Sequence, residues 1–215
     1  ASAKAMDKEI SKKIFIKHKI LTPKYIKYSF DDHFKKLIPQ IKKKFGFPVV
    51  IKPINEGSSV NVYICNKSNL RNKLKKLRIY KEILIEEFIA GREIQAAILG
   101  NKKLGAIELK PKRKFYDYEA KYNSRAKTKH IIPVDLTKKK FNELMNISLK
   151  VHNLLGCRGV TRSDFKYYKN RFYLLETNTQ PGMTKLSLVP EICLHKGIDF
   201  IKLIELLLDD ASTNK

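Results

Sequence analysis

The chain has 215 residues, enough for a sizeable core in one large domain or two small ones. Lys plus Arg number 45 against 21 Asp plus Glu, a formal net charge of +24. Cys65, Cys157 and Cys193 lie far apart with no Cys-x-x-Cys spacing, which excludes a disulfide scaffold and points to a reducing, cytoplasmic setting. No apolar run reaches the ~18 residues of a membrane span. The first eight residues lack the apolar core of a secretory signal. The chain begins with Ala rather than Met, so its true start is expected upstream.

The charge invites a nucleic-acid partner, because basic chains gain affinity by releasing phosphate counterions. Of the 45 cations, however, 37 are Lys and only 8 are Arg, and the Lys-rich stretches carry apolar residues at helical spacing. Specific nucleic-acid sites lean on Arg as well. The excess Lys therefore reads as solvated surface, and no nucleic-acid partner is expected.

Met6, Ile10 and Ile14 recur every four residues and predict a helix near residues 7–18 with that face inward. A second helix is predicted near 31–44, kinked or stopped early by Pro39. Short strands follow at 49–52 and 60–65, then a helix near 68–79 and a strand near 82–89. Residues 93–99 and 104–109 form a hairpin across Gly100-Asn101. Residues 110–130 have no clean period, as expected of a functional loop. A helix at 137–155 is closed by Gly156. A second hairpin joins 157–165 to 171–177, and a tail helix at 199–209 turns Phe200, Leu203, Ile204 and Leu207 inward. The pattern predicts an α+β fold of two lobes with antiparallel sheets, divided as residues 1–92 and 93–215.

The densest polar cluster is Arg162, Asp164, Glu176 and Asn178 within the second hairpin's apolar strands. Antiparallel pairing brings the two acids side by side. Buried carboxylates must be paired or coordinate a metal, and these hard oxygen donors suit Mg²⁺ or Mn²⁺. An ordinary salt bridge of Arg162 to either acid is the alternative. Lys52 sits inside an apolar strand and needs a phosphate or carboxylate nearby. Glu56-Gly57-Ser58-Ser59 follows that strand and reads as a phosphate nest or a plain turn. The aromatic and charged run 115–122 suits a lid, or a loop packed by its own rings. Gly182, in a Pro-Gly turn after the acidic strand, can offer a backbone N–H to an oxyanion. His130, His152 and His195 have no acid or Cys beside them and read as surface or structural residues.

Lys52 to Ser59, Glu86-Glu87, Gly91-Arg92-Glu93, the 115–122 run, Gly159 to Asp164 and Leu175 to Thr184 occur in that order. Together they resemble the D-alanine–D-alanine ligases of the ATP-grasp superfamily over nearly the whole chain. The resemblance implies ATP held between two α+β lobes. Lys8, Lys52 and Lys121 would hold its phosphates, Glu86, the Phe88 backbone and Phe115 its adenine, and Glu93 its ribose. Asp164, Glu176 and Asn178 would bind two Mg²⁺ or Mn²⁺ ions. ATP would phosphorylate the carboxylate of one D-alanine, and the amine of a second would attack the acyl phosphate. Arg162 and the Gly182 N–H would stabilise the oxyanion, and Ser187 with the Leu188 N–H would take the second carboxylate. Ser58 and Tyr122 would order the loop, with Tyr122 favouring D-alanine over D-lactate as acceptor.

Asn61 departs from the family, which usually has Gly there, so a less flexible phosphate loop is expected. The resemblance also implies a further N-terminal domain of about 100 residues, absent or supplied by a separate chain. Without it the chain should bind Mg-ATP yet make no dipeptide. A homodimer stays open. The alternatives are another ATP-grasp carboxylate–amine ligase or a basic nucleic-acid-binding remnant.

Overall fold

The computed structural model describes residues 1–110, 128–184 and 187–211. Two antiparallel sheets organise them. The first has the order β1-β4-β2-β3, built from β1 (Tyr25–Ser29), β2 (Val49–Pro53), β3 (Tyr63–Cys65) and β4 (Glu82–Glu87). The second has the order β7-β6-β5-β8-β9, from β5 (Arg92–Leu99), β6 (Lys102–Lys110), β7 (Lys129–Ile131), β8 (Val160–Tyr168) and β9 (Arg171–Asn178). The α+β expectation holds, and the sheets change over between β4 and β5.

The first sheet packs its Val49, Ile51, Ile83 and Ile85 against α3 (Phe34–Lys44) and α4 (Leu70–Lys76). Pro39 lies inside α3 without ending it. Proline leaves only the Lys35 carbonyl without its helical donor, while Leu37 and Ile41 anchor the helix from either side in the core.

The second sheet is covered on both faces. Ile94, Ala96 and Ile98 meet α5 (Lys138–Leu155), and Ala97 and Leu99 meet α6 (Leu188–His195) and α7 (Phe200–Asp210). Thr137 caps α5 and Gly156 closes it in the left-handed conformation at φ +72°. His152 is buried in this layer, bonded to Thr161 Oγ1 at 2.9 Å, and burial lowers its pKa. His130 does have an acid beside it, Glu191 Oε2 at 2.6 Å, from a helix remote in sequence. In α7 Leu203 is fully buried, but Phe200 is largely exposed, contrary to the inward face expected.

The amino-terminal helices α1 (Ser2–Met6) and α2 (Lys8–Lys17) join through Asp7, whose carboxylate accepts from the Ile10 N–H at 2.9 Å. Of the expected apolar face only Ile14 packs against the core. Met6 and Ile10 are exposed, whereas Lys8, Ser11, Lys12 and Phe15 are buried. Ala5, Phe15 and Ile20 pack into the core of the second sheet.

Candidate functional site

A cleft lies between the sheets. Lys8, Lys52, Glu56, Ser59, Glu86, Phe88 and Glu93 line it with Lys166, Asp164 and Glu176. The sequence-derived residues of both lobes thus converge.

Lys52 on β2 finds the carboxylate its burial demands. Its Nζ stands 2.9 Å from Glu86 Oε2 on the adjacent β4. The other Glu86 oxygen, Oε1, faces Lys12 Nζ at 3.1 Å. Lys12 is fully buried and also donates to Thr22 Oγ1 at 2.7 Å and the Pro23 carbonyl at 3.1 Å. Burial pushes the Lys12 ammonium down to about 8 despite Glu86. Burial alone would raise the Glu86 carboxyl, but Lys12 and Lys52 together hold it below the usual range. The resemblance assigned Glu86 to adenine; what the structure displays for its carboxylate is this double ion pair.

Lys8, at the first turn of α2, donates to the Glu56 carbonyl and lies 3.7 Å from Glu176 Oε2. Burial lowers its pKa, with Glu176 acting in the opposite sense. Its side chain therefore ties the loop after β2 to the acidic strand β9. Glu93 on β5 pairs with Lys166 on β8 at 2.8 Å.

On the second sheet Asp164 stands directly opposite Glu176, and Arg162 opposite Asn178. The two-residue turn Lys169-Asn170, with φ +46° and +61°, sets Phe165 opposite Leu174, and a bulge between Asp164 and Phe165 then moves the pairing on by one, to Asp164 and Glu176. Arg162 chelates the Asp164 carboxylate, Nε to Oδ1 at 2.8 Å and Nη2 to Oδ2 at 3.0 Å. The salt bridge weighed against a metal is thus present. The donor set still fits a hard divalent ion, because two carboxylates and an amide oxygen share one end of one hairpin. The Asn178 amide oxygen accepts the Gln180 N–H at 2.9 Å.

Gly182 leads into α6. A Cβ there would meet Ser187 Oγ at 2.8 Å, so a larger residue requires that hydroxyl to shift. Ser187 Oγ accepts the Thr184 N–H at 2.9 Å and holds its own position at the N-cap of α6. Leu188 opens that helix, where free N–H groups suit a carboxylate. The 56–61 loop runs through left-handed φ at Ser58 (+50°), Ser59 (+59°) and Asn61 (+55°), so the strand expected from Val60 begins only at Tyr63. Phe115, Lys121 and Tyr122 lie outside the described residues.

Sequence reasoning missed Lys12 and Lys166. Lys166 was legible in principle, two residues past Asp164 on a strand. Lys12 was masked by the apolar period of its own helix.

Two α+β lobes with antiparallel sheets around a cleft of buried cations and paired acids define the ATP-grasp fold class. The family profile described as D-ala D-ala ligase C-terminus matches residues 17–209, and the chain belongs to that ligase family. It is 67% identical over all of its 215 residues to the D-alanine–D-alanine ligase of Pelagibacter ubique, spanning 71% of that protein. It is 43% identical to the one from Wolbachia pipientis of Culex pipiens, matching over 98% of this chain and 66% of that one. Among solved structures, the Bacillus anthracis D-alanine–D-alanine ligase complexed with ATP superposes with a TM-score of 0.80 at 31% identity, over 96% of this chain and 66% of that one. The VanG D-Ala:D-Ser ligase of Enterococcus faecalis gives 0.83 at 25% identity, over 95% of this chain and 61% of that one. The chain thus spans about two thirds of these relatives. Among the described residues no helix is long and apolar enough to cross a membrane.

Proposed function

We propose that this chain supplies the nucleotide-holding and reacting part of a cytoplasmic, ATP-dependent, ADP-forming ligase that joins two D-alanines for peptidoglycan precursor synthesis. The observation that carries this is the convergence of Lys8 and Lys52 with Asp164 and Glu176 on one cleft. Phosphoryl transfer is chiefly positioning and charge neutralisation, and the cleft offers residues for both.

In this reading Lys8 and Lys52 hold the ATP phosphates, with Lys121 added from the loop. The Phe88 backbone, Glu86 and Phe115 face the adenine, and Glu93 the ribose. Asp164, Glu176 and Asn178 would hold two Mg²⁺ or Mn²⁺ ions, which when bound neutralise charge on the phosphates. A carboxylate oxygen of the first D-alanine attacks the γ-phosphorus, the bond to the β-bridging oxygen breaks, and ADP leaves. The amine of the second D-alanine then attacks the acyl carbon, inorganic phosphate leaves, and the nitrogen loses a proton. Arg162 and the Gly182 N–H meet the oxyanion that forms between these events. The Ser187 hydroxyl and Leu188 N–H orient the second carboxylate. Ser58 and Tyr122 order the loop that keeps water from the acyl phosphate.

Calorimetric titration of the 215-residue polypeptide tests the first half: Mg-ATP binds, and absence of binding overturns the reading. ADP release in the presence of D-alanine tests the second half. This stretch alone is expected to give no dipeptide, and turnover appears when the rest of a ligase is supplied. D-Serine and D-lactate run in parallel; preferential turnover of either would reassign the acceptor.

A further inference from the structure

The loop after β2 takes a shape its sequence does not favour. Three of its residues that carry side chains sit at left-handed φ, a conformation that strains a side-chain-bearing residue, least of all Asn. Something must hold it. A chain of side-chain hydrogen bonds runs across it: Tyr63 Oη donates to Asn61 Oδ1 at 3.1 Å, Asn61 Nδ2 donates to Tyr80 Oη at 2.9 Å, and Tyr80 Oη donates to Glu56 Oε1 at 3.1 Å. The directions are mutually forced. A carboxylate only accepts, so Tyr80 gives its one proton to Glu56 and must accept from Asn61. Asn61 therefore presents its NH₂ to Tyr80 and its oxygen to Tyr63. The chain ends on an ionised acceptor, where hydrogen bonds are stronger.

The consequence reaches the cleft through Glu56. Its side chain is held by Tyr80, while its backbone carbonyl receives the Lys8 ammonium, which in turn faces Glu176. Glu56 and Ser59 both line the cleft.

We infer that Asn61 is a positioning residue for the phosphate end of the nucleotide site: it tolerates the left-handed turn and, through Tyr80, clasps Glu56 and so fixes the loop and Lys8. This assignment rests on the ATP reading above. Glycine at this position would permit the turn but provide no clasp. Asn61 thus substitutes preorganisation for glycine's freedom, and preorganised sites bind with less ordering cost.

The test uses N61G, Y80F and the double variant in the 215-residue chain. Each single change is expected to weaken Mg-ATP binding about fivefold to tenfold, the size of one lost hydrogen bond. The double variant should be no weaker than either single, because both break one chain. Amide exchange of residues 56–62, measured without nucleotide, should quicken in all three. Unchanged exchange and ATP affinity in N61G, or strictly additive losses, would overturn the clasp. If the unaltered chain binds no ATP, the nucleotide reading fails instead, and the exchange result still decides whether Asn61 holds the loop.

Discussion

Lys12 Nζ lies 3.1 Å from Glu86 Oε1, and both side chains are almost wholly shielded from water. With Lys52 on the other carboxylate oxygen, the trio carries one net positive charge beneath the cleft. Lys12 loses its proton near pH 8, well below an ordinary lysine. The sign follows directly. Below that pH the trio is net positive and favours a polyanion; above it Glu86 cancels Lys52. Affinity for Mg-ATP should therefore fall as pH rises through about 8, with bound nucleotide drawing the step upward by holding the proton on. K12Q should bind more weakly at neutral pH and show no step in this window. An unchanged pH profile in K12Q, followed by calorimetry from pH 7 to 9, would remove Lys12 from the site's electrostatics.

Folding stability carries the opposite slope from this group. A buried lysine with a depressed pKa costs stability while it is charged, and that cost shrinks between about pH 8 and its ordinary value of 10.5. Replacing Glu86 removes the compensating charge from two buried ammonium groups. E86Q should destabilise the fold by about 3–5 kcal/mol, the loss typical of a broken buried pair. Urea denaturation at pH 7 measures it, and a change below about 1 kcal/mol would mean the lysines find other partners.

Much of this site was legible because its register is local. Pairing of two neighbouring apolar strands brings Asp164 beside Glu176, although the turn alone would set Asp164 against Leu175 and a bulge before Phe165 makes up the one-residue difference. Lys52 was legible as a charge among Val and Ile, a position that demands a partner. Helix α2 was not. Its apolar residues recur every four positions, yet Met6 and Ile10 are exposed while Lys8, Ser11 and Lys12 are buried. Lys8 and Lys12 are satisfied by Glu56, Thr22, Pro23 and Glu86, all outside the helix, and the Ser11 hydroxyl donates to the Lys4 carbonyl of the preceding helix. Period analysis assumes that polar means solvent, and it fails where remote elements supply the hydrogen bonds. The salt bridge of Arg162 to Asp164 had both readings open, since a chelated carboxylate and a metal ligand use the same atoms.

Gly182 makes a prediction with its own internal control. An alanine Cβ would sit 2.8 Å from Ser187 Oγ, which two contacts to Thr184 hold in place. G182A should destabilise by about 1–2 kcal/mol as that hydroxyl is displaced. S187A removes the colliding atom, so G182A/S187A should regain most of the loss relative to S187A alone. Thermal melts of the four proteins decide it; an additive double variant would mean the strain lies elsewhere.

Gly91 offers no such escape. Its added Cβ would meet the backbone carbonyl oxygen of Tyr167 at 2.5 Å, between two strands already in register. Backbone cannot swing aside as a side chain can. G91A should cost at least about 2 kcal/mol and should not be rescued by changing the Tyr167 side chain. A melt within a degree of the unaltered chain would contradict the close approach.

Arg162 and Asp164 compete for the same oxygens that a divalent ion would use. The Arg162 guanidinium is bonded to both Asp164 oxygens, the atoms a divalent ion would use. Its removal frees the carboxylate and deletes a nearby positive charge, and both effects favour a cation. R162A should therefore bind Mn²⁺ in the presence of ATP severalfold more tightly, by electron paramagnetic titration. In a complete ligase the same change should abolish most turnover, because the oxyanion loses its cation. D164N should move metal affinity the other way and make ATP binding nearly independent of Mg²⁺. Tighter metal binding with lost activity separates the two roles of one residue. Weaker metal binding in R162A would show that Arg162 orders Asp164 for the ion and does not oppose it.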